Sequence, residues 1–88
     1  MEKRVAVIGI IVEDKTHVED LNRIISEYSE YIIGRMGIPH HKRAISIISL
    51  SVEAPQDIIS ALSGRIGRLS GISAKTAYSN TIFDDAEE

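Results

Sequence analysis

YIIGRMGIPHHKRAISIISLSVE, residues 31–53, is the stretch whose reading decides the fold. Two isoleucine-rich arms flank the bend Pro39-His40-His41-Lys42, the pattern of two antiparallel strands folded back on each other. Gly34 and Gly37 weaken the first arm, Tyr31 to Ile38, and place it at a sheet edge or a bulge, with Pro39 expected to end it. The second arm, Arg43 to Val52, sets Ser46, Ser49 and Ser51 among Ile45, Ile47, Ile48 and Leu50. It is the longer arm and is expected to lie beside the first strand of the chain.

That first strand is Arg4 to Val12, β-branched and apolar at both parities, the signature of a central strand buried on each side. Glu13-Asp14-Lys15 breaks it. Thr16-His17-Val18-Glu19 then has the Thr-x-x-Glu form of a capping box, so a helix is expected to start there. Val18, Leu21, Ile24, Ile25 and Tyr28 give that helix one apolar face, while Glu19, Asp20, Arg23, Glu27 and Glu30 supply the wet one. Beyond the hairpin, Pro55 suits the first turn of a second helix that runs through Ile58, Ile59, Leu62, Ile66 and Leu69. Gly64 and Gly67 fray its last turns, Gly71 stops it, and Ile72 to Tyr78 alternates as a short fourth strand.

The order β-α-β-β-α-β specifies the α+β class: a ferredoxin-like sandwich, with a four-stranded antiparallel sheet carrying two helices on one face. Residues 1–79 form its single domain, and residues 80–88 are expected to be a flexible acidic tail. The uncovered face of such a sheet would be apolar in the first and third strands, so a homo-oligomer, at least a dimer, is expected to cover it.

Composition narrows the function. The chain has 88 residues, of which 43% are apolar and 26% charged, as in an ordinary soluble globular domain. The absence of cysteine excludes disulfides, thiolate metal sites and cysteine nucleophiles. Val5 to Val12 is too short for a membrane span and no signal peptide fits the start, so no membrane partner is expected and the cytoplasm is the expected compartment. Four of the 13 acidic groups, Asp84, Asp85, Glu87 and Glu88, lie in the tail, which leaves 9 acidic against 10 basic side chains in residues 1–83. A nearly neutral body argues against direct nucleic-acid binding. Base stacking on this fold would need aromatic rings on the first and third strands, and they carry none. No Ser, His and acidic residue assemble into a triad, and the chain is read as a non-enzyme.

Some residues could still carry chemistry. His40 and His41, with His17 from elsewhere, are the candidate ligands for nickel or zinc, although no metal or other cofactor is required by the sequence. Arg35, with His40, His41, Lys42 and Arg43, could instead hold an anion, the plainer role of the two strand residues being to keep an edge soluble. Gly64-Arg65-Ile66-Gly67 has the letters of an RNA-clamping GXXG loop, but it ends a helix before a strand, so helix termination explains it better. Ile82 and Phe83 in the tail could dock on a partner or a neighbouring subunit.

Tyr31 to Pro39, Ile45 to Ile48, and Ile59-Ser-Ala-Leu-Ser-Gly-Arg-Ile-Gly-Arg-Leu-Ser-Gly-Ile72 resemble the small bacterial family named iron-only hydrogenase system regulator, over about Glu2 to Thr76. The resemblance implies a free-standing ACT-like domain, similar also to the nickel-binding domain of the nickel-responsive repressor. It implies a regulatory or ligand-sensing role, with hydrogenase maturation or regulatory proteins as partners. By the same resemblance the loop Glu13, Asp14, Lys15 and Thr16 is a candidate ligand site, and so are Arg65 and Arg68, since ligands of ACT-like domains commonly lie near subunit boundaries. Two departures are notable: no segment before Val5 or after Tyr78 is long enough for a ribbon-helix-helix, and the Glu13 to Thr16 loop lacks the glycine of amino-acid-binding ACT domains.

Overall fold

The computed structural model describes residues 2–40 and 42–84. Strand β1 (Glu2–Val12) is followed by a 3-10 turn (Lys15–His17) and helix α1 (Val18–Glu27). A second 3-10 turn (Ser29–Tyr31) leads to β2 (Ile32–His40) and β3 (Ile45–Ala54). Helix α2 (Gln56–Gly67), β4 (Ile72–Tyr78) and a two-residue β5 (Phe83–Asp84) complete the chain. The sheet order is β2-β3-β1-β4, every pairing is antiparallel, and β5 adds to the start of β1 opposite Glu2 and Lys3. This is the ferredoxin-like arrangement with one short strand more than the pattern predicted. Residues 80–88 are therefore not all tail: Phe83 and Asp84 pair with Lys3 and Glu2 of β1, beyond the stretch of that strand that β4 covers.

One parity of each central strand faces the helices. Ala6, Ile8, Ile10 and Val12 of β1 and Ile48, Leu50, Val52 and Ala54 of β3 are buried against Leu21, Ile24 and Ile25 of α1 and Ile59, Leu62 and Ile66 of α2. This core contains no buried polar or charged side chain among the described residues. The other parity is open. Reading across the register, its rows are Ser73, Ile11, Ile47, Ile38; then Lys75, Gly9, Ser49, Met36; then Ala77, Val7, Ser51, Gly34. Val7, Ile11 and Ile47 remain 39–43% exposed. The expectation of a strand buried on both sides thus fails within one chain, since both helices lie on the same face.

Two local expectations also change, and one is met. Pro39 does not end β2; it pairs with Ser46 inside the ladder, which an edge strand tolerates because its missing N–H can face outward. The irregularity expected from Gly34 is present as a register shift between Ile32 and Gly34. The helix does not use a Thr16 capping box. Instead Asp14 caps the preceding 3-10 turn, and α1 starts at Val18 with no side-chain bond from His17. Asp14 wins because its short carboxylate reaches an amide two residues on, the Asx-turn geometry.

Candidate functional site

The candidate loop Glu13–Thr16 lies where β1 ends, and its shape is set from across the molecule. The amides of Glu13 and Asp14 both donate to the carbonyl of Gly71, at 2.8 and 3.2 Å. Gly71 has φ +78°, a conformation that glycine alone adopts without cost, and a Cβ there would lie 2.3 Å from the Cβ of Asp14. The Asp14 carboxylate then accepts both the amide of Thr16, at 2.9 Å, and its hydroxyl, at 2.6 Å. These bonds, the hydroxyl first, hold the Asp14 carboxyl below its ordinary pKa. The amides of residues 13, 14 and 16 are spent inside the protein. All four side chains of the loop are exposed, and the one that lines a cleft is Lys15.

Lys15 faces the tip of the hairpin. A cleft of about 200 Å³ lies between them, lined by Lys15, Pro39, His40, Ala44, Ile45 and Ser46. The tip is closed by a bond from the Arg43 amide to the His40 carbonyl, 3.2 Å, and Ala44 follows at φ +55°. Among the described residues Ala44 is the one non-glycine residue in the left-handed region. A second cleft of similar size, lined by Arg35, Gly37, Ile38, Pro39, Ser46, Ile47 and Ile48, continues along the hairpin.

The remaining candidates do not converge on this place. The Arg35 guanidinium donates to Asn22 Oδ1 at 2.9 Å and so ties β2 to α1. Arg65 donates to Glu27 and lies 5.6 Å from the centre of the Tyr28 ring, joining α2 to α1. The Glu27 bond, then the contact with Tyr28, raises the pKa of Arg65. Arg68 is the C-cap residue of α2, its amide bonded back to Gly64 and Ile66. The GXXG letters at residues 64–67 are therefore helix, not a loop. His17 Nδ1 donates to Asp20 Oδ2 at 3.0 Å, and Arg23 bonds the other oxygen of that carboxylate at 2.8 Å. The two bonds, that of His17 first, lower the pKa of Asp20. His40 is on the hairpin, and His41 lies outside the described residues. Among the described residues no three His, Cys, Asp or Glu side chains gather as a metal site would require.

Two features were not legible beforehand. One is the Asp14 to Gly71 lock, since no local signal links residues 57 positions apart in the chain. The other is an apolar cleft of about 400 Å³ at the opposite end of the sheet, lined by Lys3, Tyr31, Pro55, Asp57 and Ile58. Among the described residues no helix is long and apolar enough to cross a membrane.

Comparison with known proteins supplies the context. The uncharacterized protein TM1266 from Thermotoga maritima has a similar solved structure, with TM-score 0.82 and 32% identity over 86% of this chain and 96% of that one. A formyltetrahydrofolate deformylase from Pseudomonas putida KT2440 is similar at TM-score 0.62 and 13% identity, over 88% of this chain and 29% of that chain. An unknown protein from Galdieria sulphuraria matches at TM-score 0.60 and 16% identity, over 94% of this chain and 49% of that one. The latter two likenesses are of fold alone. A search of the curated proteins finds no match. The family described as "TM1266-like: Iron-only hydrogenase system regulator, putative" matches residues 4–76. Covered over nearly its whole folded body by that match, the chain belongs to the TM1266-like family of iron-only hydrogenase system regulators.

Proposed function

We propose that the chain is a non-enzymatic, ligand-responsive regulatory module of the iron-only hydrogenase system, working in the cytoplasm as a homo-oligomer. The observation that carries this reading is the open sheet face. Its three rows offer Val7, Ile11, Ile47, Ile38 and Met36 among small residues, with Lys75 as their single charge. With strands about 4.8 Å apart and same-face residues about 6.8 Å apart, the twelve positions span roughly 400 Å². Five of those positions carry a large apolar side chain and four are Ser or Lys, an apolar cluster rimmed by polar groups of the kind that marks an interaction surface. The area is about half of what each partner buries in a standard interface, which suits a reversible assembly better than a permanent one.

Reversibility is what a regulator of this kind needs. A ligand shifts an equilibrium between subunit arrangements only by binding one of them better than the other. A weak self-contact leaves two arrangements close enough in free energy for a small molecule or a hydrogenase maturation protein to choose between them. Sedimentation at micromolar concentration tests the reading. The expected result is an oligomer that Ile47→Glu dissociates without loss of secondary structure; a monomeric mass for the unmodified chain would refute it.

A further inference from the structure

We infer that the cleft between the hairpin tip and the β1–α1 loop binds a small phosphate-bearing anion. The inference rests on the ligand-responsive reading above only for its regulatory meaning; the binding itself is argued from the cleft.

Its donors come from three separate segments. Lys15 enters from the loop, His40 from the end of β2 and Ser46 from the start of β3, and no carboxylate lines the cleft. Lys42 and Arg43 belong to the same turn. Among the described residues none of these four basic side chains has a hydrogen-bonded or ionic partner, whereas Arg23, Arg35, Arg65 and His17 are all held by an oxygen. The neighbouring Asp14 carboxylate is not among the cleft's lining residues, and its Oδ1 is turned to the amide and hydroxyl of Thr16. Basic side chains gathered without a counter-charge repel one another until an anion joins them, and phosphate oxygens accept from ammonium, imidazole and hydroxyl donors alike.

Two further observations fit. The volume, about 200 Å³, suits a phosphate or a diphosphate with its water rather than an extended chain. Ala44, on the cleft wall, is held in the left-handed region, and backbone strain of this kind concentrates at ligand-binding positions. The Gly71 lock completes the picture, because it fixes the loop from which Lys15 reaches. An anion there would clamp the hairpin, whose β2 and β3 carry part of the open face, to the body of the domain.

The rival occupant is the acidic end of a second copy. Asp84 pairs with Glu2 at the far end of β1, about 34 Å from the cleft for an 11-residue strand, well beyond the roughly 14 Å that four further residues of the same chain can span. A neighbour's tail would make a head-to-tail contact, which propagates into open chains rather than a closed oligomer. A small anion is therefore favoured.

The test titrates inorganic phosphate, pyrophosphate and a nucleoside triphosphate into the full chain, read by calorimetry and by amide chemical shifts, with the mass measured on the same samples. Saturable binding is expected, with the largest shifts at Lys15, His40 and Ala44 to Ser46. Lys15→Met is expected to weaken it about tenfold or more, the loss of a charge-assisted bond, while secondary structure and oligomer mass stay unchanged. Ser46→Ala provides a second variant with a smaller loss. Absence of saturable binding by all three probes would overturn the site, as would binding indifferent to both variants. Binding only to single-stranded RNA would overturn it too, as would open-ended assembly abolished by deleting residues 85–88. The oligomer reading fails separately, through the mass alone.

Discussion

Gly71→Ala tests the tertiary lock on the candidate loop, and its cost can be worked from the structure. An L-residue in the left-handed region pays roughly 1–2 kcal/mol. The added Cβ would lie 2.3 Å from the Cβ of Asp14 and 3.2 Å from its Cα and N, so the loop must move. Moving it breaks the two bonds that Glu13 and Asp14 donate to the Gly71 carbonyl, at about 1 kcal/mol net each. The lost flexibility of the unfolded chain returns about 0.4–1 kcal/mol. The sum is a destabilisation of about 3 kcal/mol, a large share of the roughly 4–13 kcal/mol that a domain of this length commands. In a thermal scan at fixed protein concentration the midpoint should fall by about 12–24 °C. Gly67→Ala is the control. It lies in the last turn of α2, no atom stands within 4 Å of the added methyl, and replacing a helical glycine should stabilise by up to about 1 kcal/mol. A loss below about 1 kcal/mol for Gly71→Ala, or equal effects at the two glycines, would refute the lock.

Two other outcomes follow from local geometry. Ala44→Gly relieves the left-handed strain at the hairpin tip, worth roughly 1–2 kcal/mol, and gives back about 0.4–1 kcal/mol in the unfolded state, so urea denaturation should show a gain of about 0–1.6 kcal/mol. A loss of stability would mean that the Ala44 methyl is doing packing work. The Asp14 carboxyl has a lowered pKa in the folded chain, from the Thr16 hydroxyl first and then the Thr16 amide. A depressed carboxylate stabilises above its unfolded value of about 3.8, and that contribution vanishes as pH falls through the folded value. The stability difference between the unmodified chain and Asp14→Ala should thus be full at pH 7 and close below about pH 4; a difference independent of pH would sink the assignment.

Much of the fold was legible because it is written in local periodicity. The β-branched run of β1, the helical spacing of Leu21, Ile24 and Ile25, and the two arms of the hairpin each need only near neighbours to be read. Pattern and structure part where two local signals compete: Asp14 against Glu19 for the Thr16 amide, and Pro39 as strand ender against edge-strand member. The candidate sites were less legible. Arg35, Arg65 and Arg68 look alike in sequence, yet Asn22 takes the first, Glu27 the second, and the third lies at a helix end without converging on either. Charge pairing is decided across elements, and no spacing rule reports it.

What the sequence determined by itself was the alternation and period that name the elements, their order, and the excess of apolar residues on the sheet, because these depend on side chains a few positions apart. Tertiary structure decided the rest. It set Gly71 against Asp14, and it brought Lys15 to the cleft lined by His40 and Ser46. Each of these joins residues far apart in the chain, and their proximity exists only after the sheet has closed around β1.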